Sequence, residues 1–165
     1  MLAFRLWWTN CLPMDRKTAL VKLQKFCAYQ ERCEFEILAK LGEWELNAKD
    51  IARVMSQLKE ENFFSNTRFA EVFAGGKFRM KCWGRLKIAD ELRKRHINEK
   101  DITFALQQIS PEDYREALKQ LLVKKAAELH EEDDFTRNGK LATYAMSHGY
   151  ETGLVWETIK MLKVS

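Results

Sequence analysis

The chain has 165 residues, of which 46% are hydrophobic and 32% are charged, and this composition excludes an intrinsically disordered protein. It contains only 7 glycines and 2 prolines, and so few turn-forming residues argue against a fold of many short strands. The net charge of +4 permits a nucleic-acid partner but does not require one.

The N-terminal residues 1–16 are predicted to form an extension ahead of the first helix. The apolar run at residues 2–8 is interrupted by Arg5 and is too short to cross a bilayer. It also lacks the charged leader and the small-residue cleavage site of a signal peptide. We therefore expect a cytoplasmic protein with no membrane partner, in which residues 1–13 are poorly ordered or derive from an upstream start codon.

An internal repeat covers most of the remaining chain. The apolar positions of residues 37–58 recur without a gap 51 residues later, in residues 88–109, and both segments carry Asn-x-Lys-Asp. A third copy, in which that motif is lost, follows 53 residues further on. The matching positions are Ile37, Leu41, Leu46, Ile51, Met55 and Leu58, then Ile88, Leu92, Ile97, Ile102, Leu106 and Ile109, then Leu141, Ala145, Tyr150, Val155, Ile159 and Leu162.

Each copy has the pattern of a helix, a tight turn and a second helix. Apolar residues four apart before the turn lie on one helical face, and those four and three apart after the turn lie on another. Asn47 and Asn98 are favourable N-caps for the second helix, and His96 and Gly149 fall in the turns.

A further helix is predicted in front of each pair, at Lys17–Gln30, at Thr67–Phe73 and, after Ser110 and Pro111, at Glu112–Leu129. The chain is therefore predicted to be all-α, with three tandem three-helix repeats at residues 17–65, 66–110 and 111–165. A single short helix cannot bury its apolar stripe, whereas stacked repeats can, so we expect the repeats to form an elongated, curved helical rod.

Two stretches around the middle repeat carry recognisable motifs. Residues 58–70, LKEENFFSNTRFA, have a leucine, a short polar run, an aromatic pair and then Arg-Phe-Ala. Residues 83–97, WGRLKIADELRKRHI, fit Gly-x-x-Arg/Lys-Ile-x-x-Glu-Leu at Gly84, Lys87, Ile88, Glu91 and Leu92. With the three repeats, these stretches resemble the RecX family of recombinase regulators. The chain departs from the family at His96, where a turn glycine is usual, and at residues 65–67, where acidic residues are common.

The resemblance covers about residues 17–163 and implies the same all-α architecture. It also implies a regulator without catalytic residues, which binds RecA filaments on single-stranded DNA and mostly inhibits strand exchange and ATP turnover by the recombinase. The expected partners are therefore the RecA filament and, through it, single-stranded DNA. We expect the chain itself to be a monomer.

A basic stretch in the middle repeat is the best candidate binding site. Between Arg68 and Lys100 ten Lys or Arg residues stand against four Asp or Glu residues, and such cations attract phosphates. The candidate contacts are Lys77, Arg79, Lys81, Arg85, Lys87, Arg93, Lys94 and Arg95. Phe78 and Trp83 lie among them and could stack on bases. An ordinary solvated face, with Trp83 in the core, explains the same pattern equally well.

The sequence contains no recognisable catalytic constellation. Residues 75–77, Gly-Gly-Lys, lack the spacing of a P-loop, and neither H-E-x-x-H nor G-x-S-x-G occurs. The four cysteines have no metal-ligand spacing and are expected to be reduced and mostly buried. The acidic run at residues 131–134 is expected to be a charged helix end or loop. We therefore predict no enzymatic activity, no metal and no cofactor.

Two other classes of function remain open. The repeated helix–turn–helix and the basic middle repeat also allow a direct DNA-binding protein, which would bind duplex DNA without any recombinase. A helical scaffold or adaptor is the other alternative, because stacked helical repeats form extended surfaces that bind other proteins.

Overall fold

In the computed structural model, which describes residues 14–130 and 133–163, every secondary-structure element is an α-helix. The helices are α1 (Arg16–Tyr29), α2 (Glu34–Glu43), α3 (Ala48–Glu60), α4 (Asn66–Lys81), α5 (Arg85–Arg93), α6 (Glu99–Gln107), α7 (Pro111–Ala127), α8 (Asp134–Ser147) and α9 (Thr152–Lys163). The predicted all-α class is confirmed. Residues 1–13 of the extension predicted at residues 1–16, and Glu131 and Glu132 of the acidic run, lie outside the described residues.

The chain divides after Ser65 into two compact units. The first unit contains α1 to α3, and the second contains α4 to α9, which form two groups of three helices. The limits of the three predicted repeats, and their stacking into a curved rod, remain predictions.

The first unit is a three-helix group with its own apolar core. α1 packs against α3, and Ile37 and Leu41 of α2 complete the core. The other buried members are Leu23, Cys27, Val54, Leu58 and Phe64. Burial raises the pKa of the Cys27 thiol to about 11, so this cysteine stays protonated and packs as a small apolar side chain.

The second unit repeats the same internal order twice. α4 packs on α5 and α6, and α7 packs on α8 and α9. The first helix of every group carries a row of buried residues four apart: Ala19, Leu23 and Cys27 in α1, Ala70, Ala74 and Phe78 in α4, and Tyr114, Leu118 and Leu122 in α7. The structural repeat therefore includes the first helix of each group. In the sequence, by contrast, the repeat is clear only in the second and third helices of each group.

The turn between the second and third helices has the same backbone conformation in all three groups. The equivalent residues Glu45, His96 and Gly149 have φ values of 54°, 57° and 89°, in the left-handed region. Asn47 and Asn98 cap the helices that follow, because each accepts a hydrogen bond from the backbone N–H three residues later. The predicted turns and N-caps are confirmed.

The first helix of the middle group is longer than the sequence predicts. The prediction places it at Thr67–Phe73, but α4 continues to Lys81 and includes Gly75 and Gly76. Glycine lowers helix propensity, yet the buried row of α4 continues beyond the two glycines to Phe78. Packing of that row outweighs the local preference of the glycines.

A short break at residues 82–84 separates α4 from α5, which begins at Arg85 with Gly84 as its N-cap. Cys82 has a left-handed φ of 51° directly after α4, so it ends that helix and does not begin the next one.

Candidate partner-binding surface

The eight cations predicted to contact a partner all lie in the second unit, but they fall into three settings. Lys77, Arg79 and Lys81 are on the C-terminal half of α4, Arg85 and Lys87 are in the first turn of α5, and Arg93, Lys94 and Arg95 are at the end of α5 and just after it. The settings differ in what the cations already contact within the chain.

Lys77, Arg79 and Lys81, on the C-terminal half of α4, have no carboxylate partner in the part of the chain that the structure describes. Within residues 14–130 and 133–163, no Asp or Glu oxygen lies at ion-pair distance from Lys77, Arg79 or Lys81. Arg79 and Lys81 are exposed. The Arg79 side chain lies back along the helix over Gly75, where an added β-carbon would come 2.9 Å from Nη1. Because nothing in the described chain neutralises these charges, they can attract an acidic partner.

Trp83 is close to two of the predicted cations. The Nζ atoms of Lys77 and Lys87 lie 5.1 Å and 4.9 Å from its ring centre. Lys77 Nζ is also 5.1 Å from the ring centre of Phe73. A cation over an aromatic face gains roughly 0.5–1 kcal/mol at an exposed site. Trp83 is partly buried and therefore helps to position the two ammonium groups.

The cations at the end of α5 are paired with nearby carboxylates. Arg93 donates two hydrogen bonds to Glu99, at 2.6 Å and 3.0 Å. Lys94 and Arg95 both form ion pairs with Glu91 at 2.9 Å. Hydrogen bonds from these cations lower the pKa of Glu99 and the pKa of Glu91. This group is therefore partly neutralised and attracts an acidic partner less strongly than the cations of α4.

The cations in the first turn of α5 make contacts inside the second unit. The Arg85 guanidinium lies 4.2 Å from the ring centre of Tyr114 and donates a hydrogen bond to the Ile109 carbonyl at 3.1 Å. Lys87 Nζ donates to the Ser147 carbonyl at 3.1 Å. Arg85 and Lys87 thus join the α4–α6 group to the α7–α9 group, and these two predicted partner contacts are occupied within the chain.

Three consecutive backbone N–H groups complete the same contact. The N–H groups of Gly84, Arg85 and Leu86 donate to the His148 carbonyl at 2.8 Å, the Tyr114 hydroxyl at 2.9 Å and the Gly149 carbonyl at 3.1 Å. The first N–H groups of a helix have no partner inside the helix, and Gly84 supplies no side-chain cap. The α7–α9 group therefore caps α5.

The backbones meet at two glycines. A β-carbon on Gly84 would overlap the carbonyl group of Gly149 and the backbone nitrogen of Tyr150. A β-carbon on Gly149 would overlap Lys87, and the φ of 89° at Gly149 is itself unfavourable for other residues. Both positions require glycine for this approach.

Tyr114 lies at the buried centre of the contact, a role that the sequence pattern does not reveal. Its hydroxyl donates to Glu151 Oε2 at 2.8 Å while it accepts from the Arg85 N–H. Burial raises the pKa of Tyr114 well above its ordinary value, so the hydroxyl stays protonated and can donate. Its ring packs on Tyr150, with ring centres 5.0 Å apart. The only sequence signal is a hydroxyl-bearing residue in an otherwise apolar row.

No helix among the described residues combines the length and the apolar character needed to cross a bilayer. Over the described residues the protein is all-helical and built of three-helix groups, and Lys77, Arg79 and Lys81 place positive charge on the C-terminal half of α4. Residues 65–106 match the family model described as RecX, second three-helix domain, and residues 112–159 match RecX, third three-helix domain. These matches together cover more than half of the chain, which belongs to the RecX family.

Individual relatives agree with the family match. Regulatory protein RecX of Clostridium acetobutylicum is 33% identical over 133 residues, which are 78% of this chain and 61% of the relative. Regulatory protein RecX of Oceanobacillus iheyensis is 25% identical over 137 residues, 83% of this chain and 50% of the relative. This chain thus spans 50% to 61% of the length of these two relatives.

A solved structure shares the fold. The crystal structure of RecX from Lactobacillus salivarius matches with a TM-score of 0.82 at 17% sequence identity. The match covers 91% of this chain and 97% of that one. At this identity the likeness concerns the fold alone.

Proposed function

We propose that this chain is a non-enzymatic regulator that binds RecA filaments on single-stranded DNA in the cytoplasm and mostly inhibits the recombinase. The match to two RecX three-helix domains carries the proposal, and the relatives are named regulatory proteins. The exposed cations of α4 support it, because a nucleoprotein filament presents phosphates and acidic side chains. In this proposal the chain acts as a monomer and without a cofactor.

The proposed mechanism is binding alone. A protein that contacts neighbouring subunits of a repeating filament gains affinity from each additional contact. Holding those subunits in one arrangement would slow their ATP turnover and block filament growth, and strand exchange would fall as a result. Lys77, Arg79 and Lys81 would face the filament, whereas Arg85 and Lys87 would keep the two helical groups of the second unit together.

Direct reading of duplex DNA by a helix–turn–helix is less well supported. In such proteins the N-terminal residues of the recognition helix contact base edges in the major groove. In the middle group this helix would be α6, whose first turn carries Glu99 and Asp101. Lys100 lies between the two carboxylates and Arg93 pairs with Glu99, so this turn offers no net positive charge to phosphates, which argues against duplex reading by α6.

A binding experiment with three labelled targets separates these functions. The full chain is titrated at one salt concentration onto bare single-stranded DNA, duplex DNA and RecA-coated single-stranded DNA. We expect the tightest binding on the RecA filament. Tight duplex binding without RecA would favour the direct DNA-binding alternative. Absence of binding to all three targets would contradict the proposal and favour a scaffold for another partner.

A further inference from the structure

We infer that the outer face of α4 docks a segment of the recombinase that carries an apolar side chain flanked by carboxylates, an inference that rests on the proposed function. The outer face of α4 consists of Val72, Gly75, Gly76, Arg79 and Met80. At 100° per residue Val72, Gly76 and Arg79 lie opposite the buried row Ala70, Ala74 and Phe78, and Gly75 and Met80 lie at the two edges of this face.

The outer face of α4 exposes two large apolar side chains around bare backbone. Val72 is 56% exposed and Met80 is 81% exposed. Gly76 lies between them, four residues from each, and so occupies the same side of the helix. Single exposed apolar residues are common on protein surfaces, but here two of them border a position without a side chain.

Packing within the chain does not require these glycines. A β-carbon on Gly76 would meet no atom within 4 Å, and the three atoms nearest to one on Gly75 all belong to the flexible guanidinium end of Arg79. When the buried rows are aligned, the equivalent residues are Gln24 and Lys25 in α1, and Lys119 and Gln120 in α7. The middle group thus has bare backbone where the other groups have long polar side chains, at a cost in helix stability. Close approach by a partner explains this arrangement.

Charge and backbone geometry favour a protein segment over nucleic acid. Arg79 lies beside the glycines without a carboxylate partner among the described residues, so the complementary segment should be acidic. The N–H groups of residues 75 and 76 are used inside α4, and the glycines therefore offer no donor to a phosphate. Arg79 covers Gly75, so Gly76 is the position that offers a flat surface for van der Waals contact, which an apolar side chain uses best.

The variant Gly76→Gln tests this docking face, because it restores a polar side chain like those of the other groups. We expect the full-length variant to unfold at a higher temperature and to bind RecA–DNA filaments at least tenfold more weakly, with unchanged binding to bare single-stranded DNA. Met80→Glu should weaken filament binding as well, since its carboxylate would repel an acidic partner.

Gly139→Gln is the matched control, because a β-carbon on this α8 glycine also meets no atom within 4 Å. It should keep wild-type filament binding. If Gly76→Gln bound RecA–DNA filaments as tightly as the wild type, the inferred docking face would be contradicted, but the proposed function would not. If Gly76→Gln weakened binding to bare single-stranded DNA by the same factor, the conclusion that this face docks a protein segment would be wrong. Failure of the wild-type chain to bind filaments would overturn the proposed function and this inference with it.

Discussion

Gly84 approaches the carbonyl group of Gly149 so closely that a β-carbon on Gly84 would overlap it. The approach brings the start of α5 onto the turn between α8 and α9, where backbone hydrogen bonds join the two helical groups of the second unit. Arg85 and Lys87, which follow Gly84, are drawn into the same contact. The charge pattern predicts these cations to be partner contacts, but the backbone approach gives them a role within the chain.

Replacing Gly84 with alanine should destabilise the second unit. The added methyl group would force the two helical groups apart, which costs about 1–3 kcal/mol for overpacking in a tight contact. Chemical denaturation of the purified chain measures this loss. Gly139→Ala is the control and should stabilise by up to about 1 kcal/mol, because it adds a methyl group in open space inside a helix. Equal stability of Gly84→Ala and the wild type would contradict the close approach.

Tyr114→Phe should destabilise the chain without changing its packing volume much. The change leaves the Glu151 carboxylate and the Arg85 N–H without their partner, at a cost of about 1–3 kcal/mol for an unsatisfied buried group. Thermal and chemical unfolding test this cost. Tyr29→Phe, at a residue that is 87% exposed, should have no measurable effect. If both variants were equally stable, the Tyr114 hydroxyl would have no structural role.

Local sequence patterns predict much of the fold. Asn47 and Asn98 reveal the starts of α3 and α6, because an N-cap bonds to an N–H only three residues away. Gly149 and His96 likewise reveal turns, since the turn depends on a single residue's φ. These features can be read from the sequence because the interacting groups are close together along it.

The contact between the helical groups could not be predicted in the same way. Arg85 meets Tyr114, which is 29 residues away, and Lys87 meets Ser147, which is 60 residues away. Nothing in the local spacing of charges distinguishes these cations from the exposed Arg79. The sequence underestimates the length of α4 for a related reason, because packing of Phe78 keeps the chain helical beyond the two glycines.

The pair Arg93–Glu99 predicts a pH effect with a definite sign. The hydrogen bond from Arg93 lowers the pKa of Glu99 below its ordinary value of 4.5 in the folded chain. The stabilisation of the folded chain by this pair is therefore complete above the pKa that Glu99 has in the unfolded chain. It is lost as the pH falls through the lower pKa that Glu99 has in the folded chain. An NMR titration of the Glu99 carboxyl group should show that Arg93→Gln raises its pKa. Lys100→Gln, at the neighbouring exposed lysine, should not, and an equal rise in both variants would contradict this assignment.

Charge reversal on α4 should weaken filament binding and leave the fold intact. Arg79→Glu combined with Lys81→Glu removes two unneutralised cations, so we expect at least about tenfold weaker binding at low salt and a shallower dependence on salt. The matched control is Lys119→Glu combined with Lys124→Glu, which makes the same charge change at exposed positions of α7. Equal losses in the two double variants would indicate a general effect of net charge and would contradict a specific role for α4.

The rate of DNA-dependent ATP hydrolysis by RecA, measured with this chain at substoichiometric amounts, tests the regulatory proposal most directly. We predict that the rate falls progressively as the wild-type chain is added, and that the variant with Arg79→Glu and Lys81→Glu inhibits less at each concentration. A hydrolysis rate that stays unchanged up to equimolar wild-type chain would contradict inhibition of the recombinase by this protein.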